Sequence, residues 1–194
     1  MSNRFSKTNL SPQKGIQGKL LVATPKLDST KFERSVILLM QHDDRGTFGV
    51  TINKPSTDRV KSAWENLTGA VPADDQLILA GGPLQGPVIA LHQVPDLCDV
   101  AMPGGIFVAA QMEKLNELAK YEDPYRIVVG LAGWKNGQLK SELESGCWYM
   151  MPSNADTVFE DPEWLWDFCL DECGRRQIAD LIGHHGFPDD PSHN

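Results

Sequence analysis

Apolar runs punctuated by proline, glycine and turn-forming polar residues fill the first three-quarters of the chain. Residues 20–24 are a short apolar run stopped by Pro25, the pattern of a buried strand. Residues 36–40 repeat it, and residues 48–53 give a third strand ended at Asn53-Lys54-Pro55. Between the second and third, residues 42–47 form a turn-rich connector of hairpin length. Thr57 or Asp58 caps an expected helix running to residue 67. Strands are predicted over residues 76–80, 88–92 and 126–131, with 106–109 extended. Residues 110–120 place Met112, Leu115, Leu118 and Ala119 on one helix face. Residues 134–137 form a turn, Asn136 caps a short helix to residue 145, Gly146 ends it, and residues 147–150 are the last strand.

The pattern changes after Pro152. A short helix is expected from Ser153 or Asn154 to Phe159, a second from Pro162 to Cys173, and a third over residues 175–182, before a frayed end at 187–194. In the second of these, Trp166, Cys169, Leu170 and Cys173 share one face at the i, i+3, i+4, i+7 spacing, while Trp164 and Phe168 lie together on an adjoining face. Such a stripe must be buried, either on this chain's own sheet or against a partner. Strands and helices do not alternate regularly, which disfavours a doubly wound parallel sheet. The reading is an α+β domain with a mixed, mostly antiparallel sheet flanked by helices. Residues 1–17 form a leader, 18–152 the domain, and 153–194 an acidic helical segment packed on it.

With 194 residues, 41% of them hydrophobic, the chain is long enough for one domain with a substantial core. No apolar run reaches the ~18 residues of a membrane span, and the polar start lacks a signal-peptide core, so a cytoplasmic protein without membrane attachment is expected. The net charge of −8 is uneven: residues 150–194 hold ten acidic and two basic side chains, whereas residues 1–34 hold seven basic and two acidic ones. That balance argues against tight duplex DNA binding and leaves only weak contact by the basic front arm.

Familiar catalytic and metal motifs do not emerge. The stretch 81–86 is glycine-rich but lacks the Lys-Ser/Thr ending of a phosphate loop. Ser35 and His42 form a weak nucleophile–base pair, and His42 and His92, each at a strand end, are possible facing ligands. Cys169 and Cys173 with His184 and His185 have zinc-like spacing, against which stands the burial expected of a helix core. Without a signal peptide the four cysteines are expected to be reduced. Asp28, Arg34, His42 and Asn53 fall at strand ends or in loops of one meander. There an Asp28–Arg34 pair would lock a loop, and the four could line a polar cleft.

One ordered set of spaced motifs is more specific. It runs Gly18-Lys-Leu-Leu-Val-Ala-Thr-Pro25, Asp28-x3-Phe32-x-Arg34-Ser-Val36, His42-x3-Gly46-x2-Gly49 and Asn53-Lys-Pro55. It continues with Gly81-Gly82-Pro83, Leu91-His92 and Ala132-Gly133-Trp134-x2-Gly137-Gln138-Leu139-x2-Glu142-Leu143-x2-Gly146-x-Trp148. Over about residues 16–151 the chain resembles the YqgE/AlgH family. The resemblance implies a single α+β domain with coiled, bifurcated β-sheets in a bacterial, cytoplasmic protein. It supplies no established catalytic residue and no cofactor, and some members carry the label of transcriptional regulator. The tail beyond Pro152 departs from the pattern in being acidic and tryptophan-rich.

The expected surface for a ligand or partner comprises Asp28, Phe32, Arg34, His42, Asn53, Gly82, Pro83, His92, Trp134, Gln138 and Glu142. The Trp134 ring is expected to plug the core edge. The leading expectation is a non-enzymatic regulatory protein that binds a protein partner or small ligand and affects transcription indirectly. The alternatives are an enzyme working in a cleft around Asp28, Arg34 and His42, and a weak nucleic-acid binder.

Overall fold

The computed structural model describes residues 15–59, 62, 65, 77–121 and 124–184. Among the described residues the chain forms ten strands: β1 (Lys19–Ala23), β2 (Val36–Asp43), β3 (Gly46–Thr51), β4 (Pro55–Arg59), β5 (Leu77–Ala80), β6 (Leu84–His92), β7 (Val100–Met102), β8 (Ile106–Ala109), β9 (Arg126–Trp134) and β10 (Trp148–Pro152). The described helices are α1 (Met112–Leu118), α2 (Gln138–Glu144), α3 (Ala155–Val158) and α4 (Leu165–His184). The long path of the sheet runs β10-β1-β2-β3-β9-β6-β8-β7. Every described pairing is antiparallel except β5 with β9. This is the curled, mostly antiparallel α+β sheet that the sequence predicts.

The sheet forks at β9. Along one edge β9 pairs with β6, from Leu84↔Leu131 to Leu91↔Arg126. The other edge is shared: β3 holds its end through Thr47↔Trp134 and Gly49↔Ala132, and β5 holds its middle through Leu79↔Val128 and Ala80↔Val129. At the crotch, Thr51 N–H donates to Gly81 O and Gly81 N–H donates to Val129 O, both at 2.8 Å. A Cβ on Gly82, whose φ is +148°, would lie 2.3 Å from the Leu131 carbonyl group, so only glycine fits this approach.

Side chains alternate across the strands. Leu20, Val22, Val36 and Leu38 face one layer, completed by Leu165, Trp166, Cys169 and Cys173 of α4. Leu21, Ala23, Ile37 and Leu39 face the other, completed by Trp134, Leu139 and Trp148. A third cluster lies under α1, with Ala90, Leu115, Leu118, Tyr125 and Ile127. The Trp166 indole N–H reaches Ala23 O at 2.8 Å, so the tryptophan-bearing helix closes this chain's own sheet.

Several boundaries move. Residues 57–59, expected to begin a helix, belong to β4, because Pro55 opens a strand that pairs with β5. Residues 62 and 65 are helical, and the rest of that predicted helix, like residues 1–14 of the leader, lies outside the described residues. The hairpin connector is shorter than expected, since His42, Asp43, Gly46 and Thr47 are in strands and pair across β2 and β3. Asn136 does not cap α2: Gly137 takes that position at φ +78°, a backbone conformation for which glycine is the natural choice. The two C-terminal helices expected before and after Gly174 are one, α4. A helical glycine costs only about 1 kcal/mol against alanine, and Glu172 bridges the position by pairing with Arg175 and Arg176. No described helix is long and apolar enough to cross a membrane.

Candidate functional site

The β1–β2 loop straddles the end of the sheet. Phe32 turns into one layer, stacking on Trp134 at 6.1 Å and meeting the edge of Trp148 at 5.6 Å. Arg34, two residues on, reaches the opposite layer and lies 4.2 Å over the Trp166 ring. Passing from one face to the other twists the backbone: Ser29 and Arg34 have φ of +63° and +50°. Left-handed non-glycine residues cost about 1 kcal/mol or more and persist only where surroundings enforce them.

Asn53 provides that enforcement. Its amide donates to Arg34 O and accepts from Val36 N–H, both at 2.8 Å. The next residue, Lys54, accepts Ala80 N–H at its own carbonyl, 2.8 Å away. The chain segments carrying Arg34, Asn53-Lys54 and Gly81-Gly82-Pro83 thus meet where the sheet forks. Burial pulls the Lys54 ammonium below its usual pKa, with Glu33 opposing and Arg34 assisting. The Ser35 Oγ is buried beside this junction without a hydrogen-bond partner among the described residues.

The expected Asp28–Arg34 pair does not form. Asp28 is exposed, while the Arg34 guanidinium pairs with Asp167 of α4 at 2.6 Å, both side chains about half exposed at 49% and 48%. The competing attraction is the Trp166 face, which draws the guanidinium toward α4. Nor do Asp28, Arg34 and His42 gather into one cleft. His42 lies at the far end of β2, exposed, with Nδ1 bonded to Thr47 Oγ1 at 2.7 Å.

His92 does not face His42. It is fully buried, its Nδ1 accepts Val94 N–H at 3.2 Å, and its Nε2 has no partner among the described residues. Burial holds this imidazole below its usual pKa; Asp99 opposes the shift and Lys114 adds to it. Asp99 caps α1 from outside the helix, accepting Ala110 and Gln111 N–H at 2.7 and 3.1 Å. Lys114 joins the same carboxylate at 2.6 Å.

Trp134, Gln138 and Glu142 form one structure with Trp148. Glu142 Oε2 accepts both indole N–H groups at 2.8 Å, and Gln138 donates to Oε1 at 2.9 Å. The expected plugging role of Trp134 is met, since it is 3% exposed. Gly82 and Pro83 line a shallow open cavity of about 490 Å³ with Leu84, Gly86, Val129 and Gly130. Cys169 and Cys173 point into the core; burial raises both thiols, Cys169 to about 12. The His184 side chain and His185, their expected partners, lie outside the described residues, and no metal-binding group of three or more side chains occurs among the described residues.

The sequence reading missed the partners of Arg34, which come from α4. It also missed the outer face of that helix. Trp164 and Phe168 are 65% and 41% exposed, and Phe168 N–H donates to Trp164 O at 3.0 Å, so the helical turn begins at Trp164. Trp164 therefore stands one turn before Asp167, the partner of Arg34. The spacing of Trp164 and Phe168 had placed them together on one face; only the packing tells that this face is outward.

Comparison with known proteins gives consistent relationships. The AlgH-like family model matches residues 20–177, reaching into α4 and thus past the point at which the motif resemblance stops. A UPF0301 protein of Streptomyces avermitilis is 33% identical over 192 residues, covering 92% of this chain and 95% of its own. One from Stenotrophomonas maltophilia is 34% identical, covering 85% and 94%. The solution structure of AlgH from Pseudomonas aeruginosa superposes with a TM-score of 0.62 at 22% identity over 96% of this chain and all of that one. A crystal structure from Corynebacterium diphtheriae gives 0.58 at 29% identity, over 72% and 77%. By sequence, by fold and by the forked sheet that its glycine motifs build, the chain belongs to the AlgH-like family, UPF0301.

Proposed function

We propose that this is a non-enzymatic, cytoplasmic regulatory protein that acts by binding a protein partner, and that any influence on transcription is exerted through that partner. The observation that carries this reading is Arg34. It is an L-residue held at φ +50°, set on the Trp166 face and left half exposed, paired with Asp167 of a helix that carries two solvent-exposed rings, Trp164 and Phe168, near its start. Strained backbone is retained where surroundings over-determine it, and such places cluster at functional sites. Arginine, tryptophan and other aromatics are the side chains that dominate protein–protein binding energies. The binding face on this reading comprises Arg34 with its Asn53 support and the first turn of α4. Phe32, Trp134, Gln138 and Glu142 hold the loop from behind, and Gly82 and Pro83 hold the fork beneath it. Asp28, His42 and His92 lie outside it.

The test is affinity capture from a bacterial lysate with the wild-type chain and with Arg34→Glu. The expected result is a defined set of proteins retained by the wild type and lost with the variant, whose circular dichroism is unchanged. Retention of the same set by the variant would overturn the reading.

A further inference from the structure

The outer face of α4 continues the proposed binding surface, and this inference rests on that reading. Trp164, Phe168, Asp171, Arg175 and Ile178 follow one another at steps of four, three, four and three residues, so they form one longitudinal stripe. Its large apolar members are among the most solvent-exposed of the described residues: Trp164 at 65%, Phe168 at 41% and Ile178 at 58%. Around the two rings the unpaired charge is acidic, since Arg34 at the start of this helix is already held by Asp167 at 2.6 Å. Glu163 and Asp171 are exposed and form no ion pair among the described residues, while the one cation in the stripe, Arg175, is already paired with Glu172 at 3.2 Å.

This combination selects among occupants. An anionic bilayer or a nucleic acid would meet like charge, since residues 150–194 carry eight more acidic than basic side chains. A second copy packed about a two-fold axis near the middle of the stripe would set Asp171 close to its own counterpart. A helix with apolar residues on one side and lysine or arginine flanking them satisfies both features at once: its apolar side covers the rings and its cations reach Glu163 and Asp171. We infer that the exposed stripe of α4 is a docking surface for a cationic amphipathic helix of a partner protein.

The probe is a fluorescently labelled 18-residue peptide of leucine and lysine at helical spacing, titrated with the full chain at ~150 mM salt. Its controls are the same peptide with glutamate in place of lysine and a scramble that breaks the apolar face. Saturable binding is expected for the lysine peptide only. Trp164→Ala/Phe168→Ala, which leaves every charge in place, should weaken it at least tenfold, and Glu163→Lys/Asp171→Lys should do the same with the rings intact. The proposal is overturned by binding of the glutamate peptide or the scramble with similar affinity. It is equally overturned if the ring variant binds within twofold of wild type, because attraction would then be charge alone. Absence of any peptide binding, together with self-association that Trp164→Ala abolishes, would assign the face to a second copy instead. If no peptide binds but Arg34→Glu still empties the capture experiment, the partner's chemistry is wrong while the binding reading survives.

Discussion

At the scale of single residues, two polar side chains show how much depends on partners distant in sequence. Glu142 was readable as a helical neighbour of Gln138, and no more. In the fold its Oε2 is the acceptor for two indoles that are 3% and 2% exposed. Removing a carboxylate that satisfies buried donors costs about 1–3 kcal/mol for each donor stranded. Glu142→Ala should therefore destabilise the protein by about 2 kcal/mol or more in urea unfolding, whereas Glu142→Gln, which keeps one carbonyl oxygen in reach, should cost roughly half that or less. His92 is the second case. Its motif position was visible, but its burial was not, because a histidine after an apolar strand fits a loop equally well. Folding keeps the ring neutral by burial. Its folded pKa is depressed, so the unfolded chain binds the extra proton first as pH falls. Stability is then unaffected by this group well above the unfolded value of ~6.5 and declines as pH drops below it. The urea midpoint of the wild type should fall between pH 7.5 and 5.5, and His92→Gln should flatten that decline; a parallel decline in both proteins would remove His92 as its cause.

Elements were legible in proportion to how far local pattern governs them. β1, β2 and β10 emerge because apolar runs bounded by proline, glycine and turn residues leave few other options. β4 does not, since Thr57 and Asp58 are good cap residues in isolation and only pairing with β5 makes Pro55–Arg59 a strand. The same limitation divided α4 at Gly174. That glycine lies in the interior of a continuous helix, and a Cβ there would meet nothing within 4 Å. Gly174→Ala should accordingly stabilise the protein by about 0.5–1 kcal/mol through helix propensity alone. Thermal unfolding by circular dichroism measures it, and a lowered midpoint would mean that the helix does not run through this position. At the candidate site the split was similar. The loop that carries Phe32 and Arg34 was marked by its motif, whereas the choice of Asp167 over Asp28 depends on where α4 lands.

For the whole molecule, the fork in the sheet links the glycine motifs to the C-terminal helix. Gly81 and Gly82 let β5 and β6 approach β9 closely, β3 is released on the other side of the crotch, and β1 and β2 curl to present Val22, Val36 and Leu38 as an open apolar face. α4 is what covers that face. Leu165 and Cys169 are fully buried against it, and Trp166 is 8% exposed with its indole N–H on Ala23 O. The segment before α4 is tied in as well: the Arg126 guanidinium donates to Val158 O and Glu160 O, and Ser153 donates to Gly18 O. Trp166 alone accounts for roughly 200 Å² of buried surface, about 5 kcal/mol at 25 cal/mol/Å². Whole domains of this size are stable by only about 5–15 kcal/mol. A chain ending at residue 152 should therefore lose its folded state or expose enough apolar sheet to associate. Expressed alone, it should partition to the insoluble fraction or scatter light at micromolar concentration. A truncated chain that stayed soluble and monomeric with an unchanged melting temperature would show that the sheet closes without α4, and that the helix is present for binding alone.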